Sequence, residues 1–147
     1  MENRRCEMPD KNPPPEEVVK ILETHKTIAV VGCSPKAWRD SHKVARYLLE
    51  HGYEVIPVNP GQREILGKIC YKSLKEIPDG VEVVDIFLSP KRVPPVVDQA
   101  IEIGAKAVWM QLGVVDNESA RKAREYGIQV VMNRCMMEEH RKMPSRK

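Results

Sequence analysis

Five short runs of apolar, largely β-branched residues punctuate this chain: Ile28–Val31, Glu54–Val58, Val83–Leu88, Ala107–Gln111 and Ile128–Met132. They do not alternate with polar residues, as strands with one wet face would. Runs apolar throughout, linked by helices of about three turns, fit a parallel sheet covered on both faces. The linking segments read as helices: Ser41–His51 closed by Gly52, Val93–Ile103 closed by Gly104, and a segment from Asp116 or Asn117 to Tyr126 closed by Gly127. Pro13-Pro14-Pro15 followed by Glu16 and Glu17 opens a further short helix through Glu23. A strand-like piece at Lys68–Tyr71 and a small helix near Ser73–Glu76 fill the connection between the second and third strands. The fold class that follows is α/β: a Rossmann-like, doubly wound, mainly parallel five-stranded sheet with helices on both faces, in three layers.

A chain of 147 residues accommodates one sizeable core. The expected division is a loose N-terminal tail over 1–14, one domain over 15–140 and a charged tail over 141–147. Hydrophobic content of 41% with 31% charged residues excludes wholesale disorder. No apolar run approaches the roughly 20 residues that span a bilayer, and Met1–Cys6 lacks the apolar core of a secretory signal. The expected compartment is cytoplasmic, with no membrane partner. A net charge of +3 without aromatics interleaved among cations gives no reason to expect nucleic acid. Cys6, Cys33, Cys70 and Cys135 are widely spaced, without Cys-x-x-Cys or paired histidines, so neither a structural disulfide nor a metal site is expected.

In an open parallel sheet, ligand sits at the carboxyl ends of the strands where the strand order reverses. The polar interruptions of this sequence fall at such ends: Gly32-Cys33-Ser34, Asn59-Pro60, Ser89-Pro90, Gln111-Leu112-Gly113 and Asn133-Arg134-Cys135. The first is the most telling. Gly32 permits a tight turn and close approach of a pyrophosphate. Ser34 offers a hydroxyl, Ser41 or Asp40 a helix cap, and Lys36 and Arg39 the charge that a phosphate requires. The second and third glycines of a dinucleotide loop are missing, and Asn59-Pro60 stands where an acid would grip a ribose diol. NAD and FAD are therefore disfavoured, while the basic rim leaves NADP open. No Gly-Lys-Ser/Thr phosphate loop is present.

The ordered set Val30–Ser34 with Arg39-Asp40-Ser41, Tyr53–Pro60, Ile65-Leu66-Gly67, Asp85–Pro90, Ala107–Gly113 and Asn133-Arg134-Cys135 resembles the CoA-binding-domain family. The same fold forms the nucleotide-binding part of succinyl-CoA synthetase α subunits. The resemblance covers about residues 15–140. It implies coenzyme A, or an acyl-CoA, held across the strand ends. Phosphates would lie at Gly32, Cys33, Ser34 and Arg39, the nucleotide beside Asn59 and Pro60, and the adenosine or pantetheine path beside Ser89, Pro90, Gln111 and Gly113. Lys91 and Arg92 could screen a phosphate.

The synthetase's histidine-bearing second domain has no counterpart in the sequence, so ligase chemistry is not carried over. Binding without stand-alone catalysis is expected, with a homo-oligomer or a partner subunit left open. His140, in the charged run Glu138–Lys142, reads as a solvated histidine. Trp38 reads either as an adenine stack or as cover for the sheet edge, and Met136-Met137 as packing under the site. The rival reading is an NADP-dependent oxidoreductase, or a CoA thiol–disulfide redox protein using Cys33 or Cys135 near helix N-termini. For those two cysteines, packing as small buried residues is the plainer role.

Overall fold

A computed structural model describes residues 8–144 of the chain. Cys6 and the outer parts of both expected tails, residues 1–7 and 145–147, lie outside the described residues. In chain order the elements are α1 (Pro15–Thr24), β1 (Thr27–Val31), α2 (Asp40–Glu50), β2 (Glu54–Val58), β3 (Glu64–Ile65), β4 (Lys68–Ile69), β5 (Val83–Ile86), α3 (Val93–Glu102), β6 (Ala107–Met110), α4 (Asn117–Glu125), β7 (Gln129–Val131) and α5 (Met136–Arg141). Short 3₁₀ turns cover Leu74–Glu76 and Pro90–Arg92. The five long strands form one parallel sheet in the order β2-β1-β5-β6-β7, while β3 and β4 make a small antiparallel hairpin of their own.

Strand side chains alternate between the two faces, and both faces are dry. On one, Ala29, Val31, Val84, Ile86 and Val108 meet Val93 and Val97 of α3 and Ala120 and Ala123 of α4. On the other, Ile28, Val30, Val83 and Trp109 meet α1, α2 and α5 through Ile21, Leu22, Val44, Leu48 and Met136. This is the expected three-layer arrangement. Its five strands begin and end within two residues of the apolar runs. Among the described residues no helix is long and apolar enough to cross a membrane.

Three features depart from expectation. Helix α5 forms from Met136–Arg141, where the sequence gives a methionine pair and a charged run. Its first amide, Met136 N, donates to Gln111 Oε1 at 3.1 Å, a cap supplied from 25 residues away that local pattern cannot reveal. His140 is half-buried rather than a free side chain in solvent. It shares a 2.8 Å hydrogen bond with the Tyr47 hydroxyl and lies edge-on to the Tyr53 ring. Residues 8–14 are hydrogen-bonded to α4 and the end of β7 rather than loose.

Among the described residues, Asp85 is the one charged-type side chain at zero exposure. It lies on β5 between Val30 and Trp109 of the flanking strands, and neither carboxyl oxygen has a hydrogen-bond partner among the described residues. Burial alone drives its pKa well above the ordinary carboxylate value, because the ionised form would lose its hydration without compensation. The native state therefore holds a proton that the unfolded chain releases near pH 4. Stability from this group is complete below that pH and is lost as pH rises toward the folded-state value. Asp85→Asn removes the dependence. In urea melts from pH 4 to 8, its stability relative to the parent should climb with pH, by at most about 1.4 kcal/mol per pH unit. Parallel curves would show that Asp85 ionises in the folded state as it does in water.

Candidate functional site

The strand order reverses at β1, which has β2 on one side and β5 on the other. The loops leaving β1 and β5 consequently diverge, and a crevice opens above their carboxyl ends. It has two lobes that meet at Gly32, Asn59, Phe87 and Leu88. The first, about 480 Å³, runs along Ser34, Arg39, Asp40 and Ser41 on one side and Gln111, Leu112 and Val114 on the other. The second, about 400 Å³, is lined by Val31, Val58, Leu74 and Val96, with Pro60, Lys72, Ser73, Arg92 and Gln99 around it. Each falls within the size range of small-molecule sites.

Gly32 sits at the junction with φ +85°, in the left-handed region. A Cβ placed there would lie 2.5 Å from the Phe87 carbonyl oxygen and 3.0 Å from Leu88 Cδ2. The glycine is thus required by the neighbouring backbone, before any ligand approaches. Its N–H and that of Cys33 both point to the Val58 carbonyl, at 2.9 and 3.4 Å. Ser34 N donates to Ser41 Oγ at 2.9 Å, and Lys36 N to Ser34 Oγ at 3.1 Å. The amides of Gly32, Cys33, Ser34 and Lys36 are therefore occupied. The groups open to an anion include the hydroxyl hydrogens of Ser34 and Ser41, the Arg39 guanidinium, and the first-turn amides of α2, which have no intrahelical acceptor.

Ser41 does not cap α2 as expected. The helix starts at Asp40 with Arg39 at the cap position and no side-chain cap bond, because the Ser41 hydroxyl is turned back to the loop. The loop is fastened further by His42, whose Nδ1 donates to the Ser34 carbonyl at 2.9 Å. Asn59, where a ribose-gripping acid would stand, is also tied at both ends. Its Nδ2 donates to the Cys33 carbonyl at 2.8 Å and its Oδ1 accepts Gly61 N at 2.9 Å.

Of the candidate site residues, Gly32, Ser34, Arg39, Asp40, Ser41, Asn59 and Gln111 line the first lobe or the junction, and Pro60 and Arg92 line the second. The others do not line either lobe. Ser89 and Pro90 lead into the 3₁₀ turn that carries Arg92. Gly113 and Asn133 are joined below the first lobe, Gly113 N donating to Asn133 Oδ1 at 2.8 Å. Cys135 is buried at the α5 cap position. Cys33 is completely buried, and burial, then the neighbouring Cys70 and Asp85, pushes its thiol up to about 12. A neutral, enclosed thiol is the opposite of the activated thiolate that exchange chemistry requires. Trp38 is 68% exposed, with the Lys36 ammonium 5.7 Å from its ring centre, and covers no sheet edge. Sequence reasoning missed Lys72, Ser73 and Gln99, which come from a connection and a helix face that no motif marks.

Residues 26–141 match the family of the CoA binding domain. The chain belongs to that family. It is 38% identical over 130 residues to the uncharacterized protein YneT of Bacillus subtilis, covering 88% of this chain and 96% of that one. It is 34% identical to the alpha subunit of ADP-forming acetate–CoA ligase I of Pyrococcus furiosus, covering 77% of this chain but only 28% of the subunit. Among solved structures, a hypothetical protein from Pyrococcus horikoshii OT3 superposes with a TM-score of 0.88 at 48% identity, covering 97% of this chain and 98% of that chain.

Gly32→Ala should destabilise the protein by about 2 kcal/mol or more, from the left-handed backbone and the backbone clash together. Denaturant melts check this. A loss below about 0.5 kcal/mol, the range of indifferent surface changes, would mean that the β1–β5 approach is looser than described.

Proposed function

We propose that this chain is a binding module for coenzyme A or an acyl-CoA, holding the ligand across both lobes without transforming it, in the cytosol. The observation that carries this reading is the distribution of cations. Arg39 stands over the first lobe, at the start of α2, and Lys72 and Arg92 stand over the second. CoA presents phosphate at two places, a central diphosphate and a 3′-phosphate on its adenosine. The junction formed by Gly32 and Ser34 suits the diphosphate, which gains from the α2 N-terminus and from Arg39. The second lobe, with Val31, Val58, Leu74 and Val96, offers apolar walls to an adenine and places Lys72 and Arg92 for the 3′-phosphate. The pantetheine arm then runs through the first lobe past Leu112, Val114 and Gln111. Because Gln111 Oε1 is already engaged with Met136 N, its amide nitrogen is the end left to donate to the arm.

Binding without transformation is supported by the state of the thiols and the fastening of the polar groups. Cys33 is a buried neutral thiol, and the Ser34, Ser41, His42 and Asn59 side chains are spent largely on holding the loop. In the ligase relatives, the matching region occupies a minor part of a longer chain, and a partner polypeptide that supplies chemistry to the bound thioester is compatible with the same site.

Isothermal titration with CoA, dephospho-CoA and NADPH tests the assignment. CoA should bind well below the millimolar range, with affinity falling as salt rises. Arg92→Ala should weaken CoA about tenfold and dephospho-CoA little, while Arg39→Ala should weaken both, each change reflecting one charge-assisted contact at a partly wet site. Equal millimolar binding of CoA and dephospho-CoA, or tighter binding of NADPH, would overturn it.

A further inference from the structure

We propose that Asn12, in the segment preceding α1, is a positioning residue for the far wall of the crevice, acting through Met132 and Asn133 on the loop that carries Leu112 and Val114. This rests on the CoA-binding reading above and extends it to residues that lie outside the crevice itself.

The contacts are specific. Asn12 Nδ2 donates to the Met132 carbonyl at 2.9 Å, and Met132 N donates to Asn12 Oδ1 at 2.8 Å. The side-chain amide therefore occupies both main-chain groups of a fully buried residue just beyond the edge strand β7. The next residue, Asn133, has φ +59°, a conformation disfavoured for a residue with a side chain. It is held there with its Oδ1 accepting Gly113 N. Gly113 is itself left-handed at φ +81°, and its neighbours Leu112 and Val114 line the first lobe.

The same segment grips the other end of that loop. Asp10 N donates to Asn117 Oδ1 at 2.7 Å, Asn117 Nδ2 donates to the Met8 carbonyl at 2.8 Å, and Asn117 is the first residue of α4. Arg124 fastens the segment between these two points, donating to the carbonyls of Lys11 and Val130.

Covering an exposed sheet edge would explain some of these bonds. It does not explain why they converge on the residues that bracket one wall of the crevice. A wall held in its binding conformation before ligand arrives spares the ligand the ordering cost, so releasing it weakens binding even when the chain stays folded. Binding linkage is reciprocal: CoA seated against the wall must also tighten the segment.

The test is CoA titration of Asn12→Ala at a temperature where circular dichroism shows parent and variant fully folded. The expected result is a dissociation constant about three- to tenfold weaker, the size of a hydrogen bond or two transmitted to the site. Ile21→Val, a core change in α1, serves as the control and should lower the melting temperature while leaving the dissociation constant unchanged. Should Asn12→Ala fold poorly, the coupling is read in the unmodified chain, where CoA should slow hydrogen exchange at the Asp10 and Met132 amides. A folded Asn12→Ala with parental affinity, or exchange at Asp10 and Met132 indifferent to CoA, overturns the inference. Failure of the unmodified chain to bind CoA overturns instead the reading on which it rests.

Discussion

The distance between the end of β1 and the Phe87 carbonyl governs this molecule. Only a residue without a Cβ fits at Gly32, and only there can the chain turn from a buried strand into a loop that lies against β2 and β5 together. That turn sets the loop's two first amides on the Val58 carbonyl, brings Ser34 within reach of Ser41, and aims the start of α2 at the crevice. The two lobes exist because β1 is the strand at which the winding reverses, and they meet at the glycine for the same reason.

A second theme is how much of the polar chemistry at the strand ends is spent on the protein itself. Asn59 and Asn133 bind loops, Gln111 caps α5, and Ser41 holds the first loop instead of its own helix. Such cross-links tie the crevice walls together, which on the CoA-binding proposal lowers the ordering cost of a long, flexible ligand. The groups they leave open include two hydroxyls, helix-terminal amides, one glutamine nitrogen and cations at either end. Asp85, buried with no hydrogen-bond partner among the described residues, is a further departure from an apolar interior, and burial above all holds the neighbouring Cys33 thiol in its neutral form.

The architecture was legible because it is written in contiguous apolar runs and in the glycines that close helices; the strand ends, and with them the crevice, follow from topology alone. Gly32, Ser34 and Arg39 were legible as crevice-lining residues since a strand, a loop and a helix start adjoin in sequence. Helix α5 was not, because its cap is Gln111 and its packing partners are α1 and α2. Nor were the docking of residues 8–14 or the pairing of His140 with Tyr47, since both depend on partners about 90 or more residues away. Ser41 misled for a related reason: a hydroxyl at a helix start has two acceptable uses, and tertiary geometry chose the other one. Lys72 and Gln99 carry no motif and are brought to the second lobe only by the fold.

The most direct examination of the account is a crystal structure of the protein grown with CoA. The account predicts the diphosphate beside Gly32, Ser34 and Arg39, the adenine between Val58 and Val96, and the pantetheine arm passing Leu112. A ligand seated on another surface, or lying in the crevice with its phosphates turned away from Arg39 and Arg92, would contradict it.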